Sequence, residues 1–151
     1  MRSKSRRVAG GMLFDDFLPH LIATLAHRLH LDLVEKLRHE GINATRWRIL
    51  AVLAIGDGIS VNEITERAML QQPALSRVLI NMEKERYVLR RASRGDARCV
   101  EVFLTHKGRS LFNSLNVVVR RRQDRLLKGF SRQDKRTALR ILRRLGRNMA
   151  A

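Results

Sequence analysis

Residues 72–105 read QPALSRVLINMEKERYVLRRASRGDARCVEVFLT, and this stretch decides the fold. Its first half has apolar residues spaced three and four apart, at Leu75, Val78, Leu79 and Met82. That spacing places them on one side of an amphipathic helix, which we expect to run from Pro73 to Glu85. The second half alternates apolar and polar residues around a Gly-Asp pair, which predicts a basic β-hairpin. A helix followed at once by a basic hairpin can reach two adjacent grooves of one DNA duplex.

The segment before this helix completes a helix-turn-helix. Ser60-Val-Asn-Glu63 has the form of a capping box, in which the Ser60 hydroxyl caps the backbone and Glu63 reaches back. It predicts a short helix through Arg67 and a turn, with Gln72 as the next N-cap and Pro73 as the first helical residue. The opposite side of that second helix carries Pro73, Ser76, Arg77, Ile80 and Lys84. A short helix, a turn and a second helix with an exposed polar side describe a helix-turn-helix.

The hairpin is predicted from strands at Tyr87–Ser93 and Cys99–Leu104, which pair across Arg94-Gly-Asp-Ala-Arg98. Along the second strand Val100, Val102 and Leu104 alternate with Cys99, Glu101 and Phe103, which predicts one inward and one outward face. Such a hairpin in an otherwise helical chain is a wing.

Helices are expected on both sides of this region. The first two should run from Asp16 to His39, with a leucine-rich stripe, and from Thr45 to Ile55, with Trp47, Leu50 and Leu53 inside. Thr105 should cap a long helix from His106 to Lys128. A capping box at Ser131-Arg-Gln-Asp134 should open the last helix, striped by Ala138, Ile141, Leu142 and Leu145.

The chain is strongly basic, with 31 Lys and Arg against 14 Asp and Glu and a formal net charge of +17. Such a field attracts polyanions, nucleic acid first and anionic membrane surface second. The sequence has no Gly-rich phosphate loop, paired-carboxylate motif, metal-ligand pattern or nucleophile elbow. We therefore expect a binding protein with no enzymatic activity, no cofactor and no metal.

Cys99 is the single cysteine, so no internal disulfide is expected and a reducing compartment fits. The basic start resembles that of a signal peptide, but Asp15, Asp16 and Pro19 interrupt the apolar stretch that should follow. The longest apolar run, Ile49–Ile55, is too short to span a bilayer. We expect a soluble cytoplasmic protein without membrane contact. We also expect Cys99 to be an unreactive residue of the strand rather than an oxidant sensor.

The order of these elements, with four short motifs, resembles the MarR family of bacterial transcription regulators. Asn43-Ala-Thr-Arg-Trp-Arg-Ile-Leu50 resembles the opening of the family's second helix, and Pro73-Ala-Leu-Ser-Arg77 resembles the start of its recognition helix. Asp96-Ala-Arg98 resembles the Asp-x-Arg of the wing, and Leu104-Thr-His-Lys-Gly108 the Leu-Thr-x-x-Gly that follows it. The resemblance covers nearly the whole chain, roughly residues 13–148.

The resemblance implies a mainly α fold, a winged helix-turn-helix whose long N- and C-terminal helices form a dimerisation lobe. Residues 1–12 are then a basic flexible arm, residues 13–42 and 105–151 the dimerisation lobe, and residues 43–104 the DNA-binding lobe. It also implies a homodimer that binds a near-palindromic operator in double-stranded DNA, more often as a repressor than as an activator. Family members often bind a small effector, commonly aromatic and anionic, although no residue here identifies its site.

One residue departs from the family pattern. Where the family usually ends its recognition helix with Gly, this chain has Arg86. Glycine there serves a left-handed cap, so arginine would cost about 1 kcal/mol if the same geometry persists.

On the recognition helix the candidate DNA contacts are Gln72, Pro73, Ser76 and Arg77. Arg77 can bind guanine O6 and N7 bidentately, for roughly 1–3 kcal/mol of discrimination, or it can bind phosphate. Gln72 and Ser76 can bond phosphates or bases, although Gln72 can also act as a plain N-cap. Ile80 can touch a thymine methyl group, but packing against the neighbouring helix is favoured for it.

In the wing, the resemblance implies that Arg98 or Arg94 enters the minor groove, with Asp96 pairing with Arg98 to orient it. A narrow minor groove focuses negative potential and attracts arginine, which agrees with this role. The alternative is a turn-forming Gly95-Asp96 pair with a surface salt bridge of little energy. Arg90 and Arg91 are expected to contact phosphates.

The stretch from Arg120 to Arg147 is unusually basic, and its only acids are Asp124 and Asp134. In the family this region forms the dimer interface with the first helix, so a solvated side next to an apolar seam is favoured. The charge alone supports a second function equally well, that of a non-specific polyanion binder, either nucleoid-associated or at a membrane surface. The ratio of specific to non-specific DNA binding would distinguish the two.

Overall fold

The computed structural model describes residues 16–93, 95 and 99–150, so the predicted arm at residues 1–12 lies outside the described part. The described chain is mainly helical with one small antiparallel sheet. Its elements in order are α1 (Leu18–His39), α2 (Ala44–Ile55), β1 (Ile59–Ser60), α3 (Val61–Ala68), α4 (Gln72–Lys84), β2 (Val88–Ala92), β3 (Val100–Leu104), α5 (His106–Leu126) and α6 (Arg132–Met149). This order confirms the predicted winged helix-turn-helix.

Residues up to Leu115 form one compact unit, and residues from Asn116 onward form a second. The core of the first unit surrounds α2, whose Trp47, Leu50 and Leu53 are buried as predicted. In α3, Ile64 and Ala68 are buried, and in α4 Leu75, Leu79 and Met82 of the predicted stripe are buried while Val78 is half-buried. Burial of each large aliphatic side chain contributes roughly 1.5–3 kcal/mol, so this set holds the helix-turn-helix together.

The sheet has the strand order β1-β3-β2, and β1 was not predicted. Gly56-Asp57-Gly58 ends α2 as expected, but the chain then pairs Ile59 with Val102 of β3. The Asp57 carboxylate accepts a hydrogen bond from the Leu104 backbone N–H at 2.8 Å and holds this edge in place. A strand of two residues is too short to show any alternation, which is why the sequence pattern did not reveal it.

Three predicted helix starts have different outcomes. The Ser60 hydroxyl accepts from the Glu63 N–H at 3.2 Å, but the Glu63 carboxylate pairs with Arg67 at 2.6 Å instead of reaching back. The proposed box there is thus only half right, because a cation one turn ahead is the better partner for the carboxylate. The box at Ser131 and Asp134 is complete. For α4 the N-cap is Gln71 rather than Gln72, which is the first helical residue.

Apolar side chains remain exposed along the flanking helices. On α1, Leu18, Leu21 and Leu25 are 50%, 46% and 51% exposed. On α6, in the second unit, Ile141 and Leu142 are 50% and 55% exposed. The predicted stripes are therefore present, but much of their apolar surface is not covered within the single chain.

None of the described helices combines the length and the apolar character needed to cross a membrane.

Arg86 adopts the left-handed conformation with a φ of +61°, so the geometry that glycine serves in the family persists. We expect Arg86→Gly to raise the free energy of unfolding by about 1 kcal/mol, because a Cβ is strained at this φ. Urea unfolding at fixed protein concentration measures the change. Arg86→Ala is the control, since it removes the same charge but keeps the Cβ. An equal increase in the free energy of unfolding in both variants would assign the effect to the lost charge and contradict the backbone explanation.

Candidate nucleic-acid interface

The turn between α3 and α4 places the amino end of α4 on the surface. Met69 is left-handed with a φ of +52°, and the Leu70 N–H donates to the Thr65 carbonyl at 3.0 Å, which closes α3. The Gln72 side-chain amide then donates to the Asn62 side-chain oxygen at 3.3 Å and joins the starts of the two helices. Residues 71–74 are all exposed, so the first turn of α4 is accessible to a ligand.

The side of α4 opposite its buried stripe carries the four sequence-predicted contacts together. Gln72, Pro73, Ser76 and Arg77 are exposed within the first two turns. The Ser76 hydroxyl donates to the Gln72 carbonyl at 3.1 Å, so its oxygen is left to accept from a ligand. No side chain caps the first turn, and unpaired N–H groups at a helix start attract anions. Ile80 is 40% exposed, so part of its side chain is accessible, and its expected packing against the neighbouring helix stays a prediction.

An ion pair that sequence reasoning missed joins α4 to the hairpin. The Arg90 guanidinium donates to the Glu83 carboxylate at 2.8 Å through Nε and at 2.5 Å through Nη2. The Arg90 backbone N–H donates to the same carboxylate at 3.1 Å. These hydrogen bonds hold the pKa of Glu83 below its ordinary value, so the pair stays charged at neutral pH. The Arg90 guanidinium, expected to contact phosphate, is thus engaged within the protein, and it fixes β2 against α4.

A second ion pair holds the carboxyl end of α4. Arg46 near the start of α2 donates to the Glu85 carboxylate through both terminal nitrogens, at 2.8 Å for Nη1. The hydrogen bond from Arg46 lowers the pKa of the Glu85 carboxyl group. Lys107 adds to this end, because its ammonium donates to the Glu85 carbonyl at 2.9 Å and lies 4.4 Å from the centre of the Tyr87 ring. No local pattern signals the Arg46–Glu85 pair, since its partners are 39 residues apart.

The hairpin has the predicted antiparallel pairing, with Arg90 opposite Val102 and Ala92 opposite Val100. Beyond the ladder the Ser93 N–H donates to the Cys99 carbonyl at 2.8 Å, and the Ser93 hydroxyl donates to Glu101 at 2.7 Å. Arg91 is exposed, with its guanidinium 5.7 Å from the centre of the Phe103 ring. The tip residues Arg94, Asp96 and Arg98 lie outside the described residues.

Cys99 is an exposed thiol that takes part in no disulfide, and it lies just before β3 rather than within it. Within the described residues there is no group of three His, Cys, Asp or Glu that could hold a metal ion.

The described geometry suits binding to a polyanion. It presents the open amino end of a 13-residue helix, an exposed Arg77 on that helix and an exposed Arg91 on the adjoining strand. Two ion pairs hold this helix to its neighbours: Glu83–Arg90 joins it to the hairpin, and Arg46–Glu85 joins it to α2. Motifs that read DNA sequence likewise present a helix with exposed polar side chains on a rigid support.

Comparison with known proteins agrees with this geometry. Residues 40–98 match the model of the MarR family. The homoprotocatechuate degradative operon repressor of Escherichia coli is 29% identical over 76 residues, which are 50% of this chain and 51% of the repressor. The match thus spans about half the length of this curated relative.

Solved structures extend the likeness over nearly the whole chain. A MarR family transcriptional regulator from Silicibacter pomeroyi has a TM-score of 0.83 at 25% identity, covering 95% of this chain and 96% of its own. MepR of S. aureus, solved as a complex with DNA, shares the fold with a TM-score of 0.75 at 19% identity, over 87% and 97% of the two chains. The family model thus matches the helix-turn-helix and the hairpin, and the chain shares the fold of MarR family regulators over almost every residue.

Proposed function

We propose that the protein is a homodimeric, sequence-specific DNA-binding transcriptional regulator of the cytoplasm that acts as a repressor. The observation that carries the proposal is the exposed first two turns of α4, with Gln72, Pro73, Ser76 and Arg77 on one side and the basic hairpin adjoining. The solved complex of MepR with DNA supports it, since that protein has the same fold.

In the proposed complex, α4 of each protomer enters the major groove, and the two helices lie about one helical turn of DNA, roughly 10 base pairs, apart. Arg77 reads a guanine through two parallel hydrogen bonds. Gln72 and Ser76 bond nearby phosphates or base edges, and Pro73 lets the backbone of the first turn approach them.

The hairpin in this proposal follows the DNA backbone next to the helix. Arg91 contacts phosphate, and Arg94 or Arg98 enters the minor groove, with Asp96 orienting Arg98. Because Arg90 is held by Glu83, its part is to set the angle between hairpin and helix and only secondarily to meet a phosphate. Minor-groove contacts of this kind favour A·T-rich flanks, where the groove is narrow.

The dimer would form through the exposed apolar side of α1 and that of α6. Leu18, Leu21 and Leu25 of α1 and Ile141 and Leu142 of α6 are each at least 46% exposed in the single chain. Burial against a second copy is the usual way a soluble protein covers exposed apolar surface of this kind. Residues 13–42 and 105–151 are thus proposed as the dimerisation lobe, residues 43–104 as the DNA-binding lobe and residues 1–12 as a basic arm.

Regulation in this proposal comes from a small aromatic, anionic ligand that releases the operator. A ligand acts in this way only if it binds the DNA-incompetent state more tightly than the competent one. The name of the E. coli relative, a repressor of an operon that degrades homoprotocatechuate, supports repression and an aromatic effector. The net charge of +17 suits an anionic ligand.

The proposal is tested by selecting fragments bound by the full chain from a pool of the source genome at physiological salt. We expect a few near-palindromic sites bound at least about a thousandfold more tightly than bulk fragments. The salt dependence is measured for both classes, since phosphate contacts weaken with salt whatever the sequence. A ratio near one across the pool would contradict sequence-specific regulation and favour the alternative, a non-specific polyanion binder.

A further inference from the structure

Basic side chains occupy most of one side of α6, although Leu139, which is 43% exposed, lies among them. At about 100° per residue, Arg132, Arg136, Arg140, Arg143 and Arg147 fall within roughly 80° of one another around the helix. Lys135 and Arg144 flank them, and all seven side chains are exposed. The opposite side carries Ile141, Leu142, Leu145 and Met149. We call the seven basic residues the basic face of α6.

The charge of this face is not balanced by acids of the same unit. Residues 116–150 contain twelve Lys and Arg against Asp124 and Asp134, so they hold more than half of the chain's net charge of +17. Asp134 is occupied at the helix start, where it accepts from the Ser131 backbone N–H at 2.9 Å and from its hydroxyl at 2.7 Å. The hydrogen bonds from Ser131 lower the pKa of the Asp134 carboxyl group.

The dimensions of the face match those of a DNA strand. From Arg132 to Arg147 the helix rises about 22 Å, at about 1.5 Å per residue. One strand of B-DNA presents a phosphate about every 3.4 Å along the axis but winds around the axis once in about 34–36 Å, so a straight helix of that length can meet about three or four phosphates before the strand curves away. Six of the seven basic residues are arginines, and the planar guanidinium binds phosphate oxygens with two parallel hydrogen bonds.

We propose that the basic face of α6 is a second surface for double-stranded DNA, which binds the phosphate backbone without reading sequence. It belongs to a different element from α4 and the hairpin, and it leaves the apolar side of α6 for a second copy of the chain. Its effect is to raise affinity for duplex of any sequence, whether that duplex flanks an operator or belongs to another molecule. The inference does not depend on the existence of an operator.

DNA fits the face better than a membrane does. A helix that lies in a membrane interface usually inserts Trp, Phe or Leu from its apolar side, with aromatic residues as anchors. The sequence of α6 contains no aromatic residue. In the proposed dimer the second copy covers the apolar side of α6, so that side is not free to insert into a bilayer.

The test uses the full chain and a non-operator duplex. The triple variant Arg140→Gln, Arg143→Gln, Arg147→Gln removes three charges from the carboxyl-terminal half of the face and keeps helix-forming side chains. Fluorescence anisotropy at several salt concentrations gives the slope of log K against log salt. We expect the slope to fall in magnitude by about 2–3 and the affinity at the lowest salt to fall by about tenfold or more. The same losses are expected in an Arg77→Ala background, which separates them from any failure of sequence-specific binding.

A matched triple variant controls for net charge. Arg120→Gln, Arg121→Gln, Arg125→Gln removes three charges from exposed positions of α5, and we expect its slope to change by less than about 1. Equal shifts in the two triples, or no shift in the α6 triple, would overturn the proposal. So would tighter binding to phosphatidylserine-containing vesicles than to duplex, if the α6 triple abolished the vesicle binding. The single variant Arg143→Gln, expected to lower the slope by about 1, serves as the readout if circular dichroism shows that the triple does not fold.

Discussion

Gly108→Ala is expected to destabilise the protein by about 3 kcal/mol, at the upper end of the range for overpacking. Gly108 lies in the first turn of α5, where a Cβ would come within 2.1 Å of the Tyr87 carbonyl oxygen. That oxygen belongs to the backbone and already accepts from the Thr105 N–H at 3.1 Å. A methyl group must therefore push the start of α5 away from β2 and break the cap that Thr105 makes with the Gly108 N–H at 3.0 Å.

Thermal unfolding at fixed protein concentration measures this effect, and we expect the midpoint to fall by about 10 °C for a chain of this size. The matched control is Gly146→Ala in α6, where a Cβ would meet nothing within 4 Å. There alanine should stabilise by up to about 1 kcal/mol, because glycine is a poor helix former. Replacing glycine by alanine is thus expected to lower the free energy of unfolding at position 108 and to raise it at position 146. A Gly108→Ala protein as stable as the wild type would show that α5 and β2 do not approach each other this closely.

Local signals in the sequence predicted the local structure well. Thr105 was predicted to cap α5, and its hydroxyl does accept from Gly108, three residues on. The motif Leu104-Thr-His-Lys-Gly108 was first only a resemblance, and the structure gives it a physical reason. The Thr105 hydroxyl caps the start of α5. At position 108 only glycine, which has no Cβ, leaves room for the Tyr87 carbonyl oxygen. Spacing alone also identified the buried residues of α4, because the core accepts a single side of that helix.

The contacts that position α4 could not be predicted, because each depends on where distant segments meet. Glu83 and Arg90 belong to different elements, and Arg46 and Glu85 are 39 residues apart in the sequence. Considered one at a time, each of these residues resembles an ordinary surface charge. For the same reason Arg90 was assigned to phosphate, since only the fold shows that Glu83 lies beside it. Counting charges in the sequence predicts attraction to a polyanion, but it does not show which Lys and Arg side chains already form ion pairs within the protein.

Arg77→Ala is expected to lower affinity for the selected operator by roughly 10- to 100-fold, the equivalent of about 1–3 kcal/mol for a bidentate guanine contact. Affinity for non-operator duplex should fall much less, because only one of many cations is lost. Electrophoretic mobility shift at constant salt measures both. Arg38→Ala, which removes the same charge from an exposed position on α1, should leave the ratio of the two affinities unchanged.

The variant Arg77→Lys then distinguishes a contact of Arg77 with guanine from a contact with phosphate. Lysine keeps the charge but lacks the planar fork, so it replaces arginine at a phosphate far better than at a guanine edge. If Arg77 reads guanine, the lysine variant should lose most of the operator preference while it keeps its non-operator affinity and salt slope. Recovery of operator affinity with lysine would reassign Arg77 to the backbone and shift sequence reading to Gln72 and Ser76. Wild-type operator affinity in Arg77→Ala would show that Arg77 does not contact the operator, and it would leave any reading by α4 to Gln72 and Ser76.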